Sequence, residues 1–243
     1  MARSATFGHT QQSRTLSSLV AWRNVLGATA VGWLIIAVPN FALLTEYLAR
    51  TMKNDRVLAS LYLDLGFFVS TAIMIGLVWW WQRAHGETLA DLGWRRPTPL
   101  PVLIVAVIYG ALWTSTTYFT PGHLSFFAFP WERFIMAPLG IVLATGEELL
   151  FRGFLMEQLR RAAVPTWIQI VVSAVAIASY HGLAGFSYRL APALGSIVLF
   201  GILAVIHVAG KRSMTPNTVA HAMTHVFGDP SLIMGILREV SHP

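Results

Sequence analysis

The sequence predicts an all-α, polytopic transmembrane bundle of about seven to eight helices. Three observations lead there. The chain is 55% hydrophobic and only 12% charged, whereas a soluble domain carries about 25% charged residues. Several apolar stretches approach or exceed the roughly 20 residues that a bilayer-spanning helix needs. The basic residues fall between those stretches, so the formal charge of +6 reflects topology and lipid headgroups, and no nucleic-acid partner is expected. The chain has no cysteine, which excludes disulfides, thiol nucleophiles and thiolate metal sites.

Taken in order, residues 1–18 form a polar, mildly basic tail, and the apolar pattern after it gives no sign of a cleaved signal peptide. Val25 to Leu44 is the first predicted span, with Arg23 placed to snorkel at its start. Val57 to Trp81 is the second, ending in an aromatic belt, Trp79-Trp80-Trp81. Gln82 to Pro99 is a polar connection. Leu100 to Phe119 is the third span, and Thr120 to Arg133 reads as an interfacial loop. The fourth helix runs from about Phe134 to Leu159, with Pro138 in its first turns, where proline is best tolerated. Val164 to Leu183 and Leu190 to Ala209 are the fifth and sixth. Lys211 to Pro216 is a turn. A seventh helix, Asn217 to Phe227, precedes a short segment from Ser231 to Val240. The expected division is a tail (1–18), N-terminal transmembrane helices (19–87) and a C-terminal core (88–243).

Placing the N-terminus in the cytoplasm puts Arg3, Arg14, Arg23, Arg83, Arg95, Arg96, Arg160, Arg161, Lys211 and Arg212 inside. Only Arg50, Lys53, Arg56, Arg133 and Arg189 then lie outside. Such a bias favours that orientation.

An ionisable group within a span is costly, by at least ~2.5–3.5 kcal/mol at the helix centre, and so points to function. Gly146-Glu147-Glu148-Leu149-Leu150-Phe151-Arg152 carries three such groups. Glu148 and Arg152 are four apart in acid-before-base order, which predicts an ion pair bracing the helix. Glu147 points about 100° away and is the freer carboxylate, suited to general-base work. His181 lies near the end of the fifth helix. His221 and His225, four apart, share a face and suit a ligand pair or an oxyanion site. Asp64, in the second span, reads as a helix–helix hydrogen-bonding group. His85, His123 and His207 read as interfacial or hydrogen-bonded residues, and Asn217 as a helix N-cap.

Glu147-Glu148-x-x-x-Arg152, a histidine ending the next helix, and His221-x-x-x followed by a polar residue resemble the ordered signature of the type II CAAX prenyl protease and bacteriocin-processing family. These are intramembrane endopeptidases, also called the CPBP or ABI family. Thr88 to Pro97 is similar to the segment that often precedes the core in bacterial members. The resemblance implies that Glu147 and His181 activate water, and that His221 and the residue at 225 stabilise the oxyanion. This chain has Ile177 where the second motif commonly begins with phenylalanine, and His225 where the last usually ends in asparagine or aspartate. An imidazole can still donate a hydrogen bond there.

The expected activity is therefore hydrolysis of a peptide bond in a membrane-associated or lipid-modified protein or peptide. It would occur in a polar cavity lined by helices four to seven of an integral protein of the bacterial inner membrane. No cofactor is required on this reading. A zinc-dependent variant stays open, in which His221 and His225, with Glu147 or His181, supply three ligands and leave one position for water. Against it, Ala222 stands where the His-Glu-x-x-His motif has its glutamate. A transporter using the carboxylates and histidines as a proton relay also stays open, but no inverted repeat supports it. So does a non-catalytic immunity or scaffold protein on the same fold.

Overall fold

The computed structural model describes residues 15–52, 54–94, 96–119, 130–183 and 190–228. Most of the N-terminal tail, His123, and the segment expected at 231–240 lie outside them. Among the described residues the chain is helical with no strand, in agreement with the all-α expectation. Seven long helices result: α1 (Ser18–Thr51), α2 (Arg56–Ala84), α3 (Leu100–Phe119), α4 (130–161), α5 (Thr166–Leu183), α6 (Leu190–Ala209) and α7 (215–228). Ser18–Thr51, Val57–Ala84 and Phe134–Arg161 are long and apolar enough to cross a membrane. Leu100–Thr116, Thr166–Ser179 and Leu194–Ala209 are shorter apolar helices.

The first helix runs well beyond the predicted Val25 to Leu44. Ser17 caps its start by accepting from the Val20 amide. Its middle, Trp33–Leu44, is wound as a π-helix around Pro39. Proline has no amide hydrogen and its ring crowds the carbonyl one turn back. A wider turn absorbs that interruption without ending the helix. The Thr45 amide bonds the Asn40 carbonyl, and the Thr45 hydroxyl donates to the same oxygen at 2.7 Å.

Asp55 caps α2 through the Leu58 amide. Of the three tryptophans near its end, Trp79 and Trp80 are exposed. Trp81 turns inward, stacking on His85 at 4.3 Å and meeting Phe154 edge-on at 5.9 Å. The connection that follows contains a 3-10 turn, Leu89–Leu92, closed by a reciprocal Thr88–Asp91 capping box. Gly93 has a φ of 95°, and a Cβ there would collide with the Arg212 carbonyl oxygen. Only glycine adopts that conformation against so close a backbone. The connection is thereby docked on the α6–α7 turn: Gly93 accepts from the Met214 amide, and Ser213 donates to the Arg96 carbonyl.

The fourth helix starts at Pro130, which suits a first helical position. Pro138 therefore sits inside the helix rather than in its opening turns. From Leu149 to Leu155 the helix is π-wound, a widening often found at functional sites. Close helix approach sets the packing around α4. A Cβ on Gly146 would collide with the Thr71 methyl of α2, and one on Gly140 would lie 2.5 Å from the His225 Cβ of α7. Helix α3 meets α7 at Gly110 against Ala220, while α5 and α6 form an extensively packed pair.

Candidate active site

Helices α4 and α7 bring four of the predicted site residues into direct contact at the centre of the bundle. Glu147, Glu148, Arg152 and His221 are all buried, Glu148 and Arg152 completely. Arg152 Nη1 lies 3.2 Å from Glu148 Oε1, the pairing expected from their spacing. The guanidinium also donates from Nη2 to the Phe200 carbonyl at 2.8 Å and sits over the Phe200 ring at 5.1 Å. Burying two charges carries a large desolvation penalty, which only good geometry and further hydrogen bonds offset.

Glu148 has more partners than the sequence suggested. His221 Nδ1 is 2.9 Å from its Oε1, and Asn217 Nδ2 donates to its Oε2 at 2.6 Å. An ionised carboxylate only accepts hydrogen bonds, so Nδ1 of His221 carries the hydrogen. That fixes the ring and turns Nε2 toward Glu147, whose Oε2 is 3.5 Å away. The two glutamates do point apart on α4. They nonetheless act on one imidazole, because His221 enters between them and presents a nitrogen to each.

Asn217 is not the expected N-cap. The helix begins at Thr215, with Met214 as its flanking residue, so Asn217 is inside it and fully buried. A signal for its role was present: Asn217 and His221 are four apart and so share a face. His207, buried with Nδ1 against the Ser213 carbonyl, adjoins Asn217 from α6. Phe200 was missed entirely, and its apolar context on α6 gives no signal.

The remaining histidines approach through ring contacts. His225 lies 5.2 Å from His221, centroid to centroid. Phe200 stands between His181 and His221, 4.9 Å from the first and 5.4 Å from the second. His181 is held by the Ile177 carbonyl, 3.0 Å from its Nδ1, and lies within electrostatic reach of Glu147, His221 and His225. Asp64 is buried in α2. Among the described residues, no group of three or more His, Asp or Glu side chains converges as a metal-ligand set. In the zinc variant His221 would have to ligate through Nε2, since Nδ1 is engaged by Glu148. Among the described residues, one cavity lies between α1, α2 and α4 and another between α1 and α2.

The cluster combines a buried carboxylate facing an imidazole with a second carboxylate that orients the ring. Such an arrangement can move a proton and stabilise developing negative charge. No curated protein and no solved structure matches the chain. Residues 128–227, which include every site residue above, match the family described as type II CAAX prenyl endopeptidase Rce1-like. Residues 128–227 are thus similar to type II CAAX prenyl endopeptidases of the Rce1-like kind, and the apolar helices make the chain an integral membrane protein.

Proposed function

We propose that the protein hydrolyses a peptide bond of a membrane-associated substrate by a glutamate-activated water, without a metal. The observation that carries this reading is buried His221 held between Glu147 and Glu148, which lie on a helix long and apolar enough to cross a membrane. Glu147 accepts a proton from water as the water oxygen attacks the scissile carbonyl carbon. His181 assists by orienting that water. The carbonyl π electrons move to oxygen, and His221 and His225 donate hydrogen bonds to the resulting oxyanion. The C–N bond then breaks, and the proton held by Glu147 passes to the leaving nitrogen, giving a carboxylic acid and an amine. Glu148, braced by Arg152 and Asn217, holds the His221 ring in register.

The orientation that fits the basic residues has the N-terminus in the cytoplasm, and the short loops suit a bacterial inner-membrane protein. The substrate class is a membrane-anchored or lipid-modified protein or peptide. In proteoliposomes supplied with a panel of membrane-anchored peptides, the native protein should cleave at least one. Glu147→Gln should lower cleavage by at least a hundredfold with the fold retained, and a chelator should leave the native rate unchanged. Cleavage retained by Glu147→Gln would sink the glutamate mechanism. Loss on chelation, restored by added zinc, would favour the zinc variant.

A further inference from the structure

A cavity of about 420 Å³ lies between α1, α2 and α4, away from the catalytic cluster. That is within the range of ~300–1,000 Å³ usual for small-ligand sites. Its wall is apolar: Gly27, Ala28 and Val31 of α1, Leu77 and Val78 of α2, and Leu150 and Phe154 of α4. Its polar lining is Arg23 and Asn24, beside Trp80 and Trp81. A smaller cavity shares Arg23, Asn24 and Trp81 and adds His85, Glu87, Gln158 and Arg161. The two together make an apolar slot with a polar mouth, at the end of the bundle where the tryptophan belt and the basic residues gather.

The charges at that mouth do not cancel. Glu87 is paired with Arg161, and Glu157 with both Arg160 and Arg161. Asn24 donates to Gln158 at 2.9 Å. Arg23 is exposed and pairs with no carboxylate among the described residues, so the mouth keeps a positive charge. We infer that this slot is a binding site for one anionic glycerophospholipid, its acyl chain against Gly27 and Phe154 and its phosphate on Arg23. Acyl chains are everywhere in a bilayer, so filling the slot discriminates little between lipids. The headgroup decides, and a basic residue near the surface favours an anionic lipid by a factor of about five. The inference is independent of the catalytic reading.

The site can be closed without disturbing the fold. A Cβ at Gly27 meets nothing within 4 Å, so Gly27→Leu places a side chain in the slot and strengthens the helix. The purified protein would be exchanged through bilayer nanodiscs of equal phosphatidylglycerol and phosphatidylcholine, and retained lipid counted by native mass spectrometry. The native protein should retain phosphatidylglycerol in preference. Arg23→Gln should reduce that preference about fivefold, Arg23→Lys should keep most of it, and Gly27→Leu should abolish retention with circular dichroism unchanged. Equal retention of the two lipids by the native protein, or an undiminished preference in Arg23→Gln and Gly27→Leu, would overturn the assignment. So would a cross-link from position 27 to residues 1–14 or to a second copy instead of to lipid.

Discussion

Replacing Arg152 by methionine tests the brace at the centre of the fold. The native guanidinium is fully buried, with the Glu148 carboxylate at 3.2 Å, the Phe200 carbonyl at 2.8 Å and the Phe200 ring at 5.1 Å. Methionine fills much of the volume but leaves Glu148 charged without its cation. Breaking a buried pair by removing one partner costs about 3–5 kcal/mol. The bonds from Asn217 and His221 remain and soften the loss, so the lower end, about 3 kcal/mol, is expected. For a chain of this size that is a fall in Tm of roughly 6–12 °C, read by thermal unfolding in detergent or nanodiscs. The double variant Glu148→Gln with Arg152→Met removes both charges and should recover at least half of the loss. Arg152→Lys should fall between Arg152→Met and the native protein, since an ammonium lacks the fork that reaches Glu148 and Phe200 together. A Tm for Arg152→Met within about 2 °C of native, a change of under ~1 kcal/mol, would refute the argument. So would a double variant less stable than the single one.

Three further outcomes follow from the packing and the site. Gly146→Ala drives a methyl into the Thr71 Cγ2 methyl and should destabilise by about 1–3 kcal/mol; adding Thr71→Ser, which deletes that methyl, should restore most of the Tm. Asn217→Leu removes a 2.6 Å donor from a buried carboxylate and should lower stability by about 1.5–3 kcal/mol, with Asn217→Asp worse because it sets a second anion against Glu148. His225→Asn exchanges one hydrogen-bond donor for another, so cleavage in the peptide-panel assay should persist, while His225→Leu should lower it by at least about tenfold; undiminished cleavage by His225→Leu would remove His225 from oxyanion binding.

Much of this protein was written in local spacing. Composition and the lengths of apolar runs determined an all-α membrane bundle, because a bilayer tolerates helical backbone and little else. The four-residue interval determined the Glu148–Arg152 pair and set His221 beside His225, because i and i+4 share a helix face. Tertiary structure decided what those faces meet. The long α1 and the interior place of Pro138 were not legible, since helix ends depend on caps and neighbouring contacts that hydropathy does not carry. The hub at Glu148 was not legible either: its bonds to Asn217 and His221 span about seventy residues of chain, and only the approach of α7 to α4, permitted where Gly140 makes room for His225, brings them together. Sequence placed the charges in the membrane. The packing of α7 against α4 gave each carboxylate one nitrogen of the same imidazole.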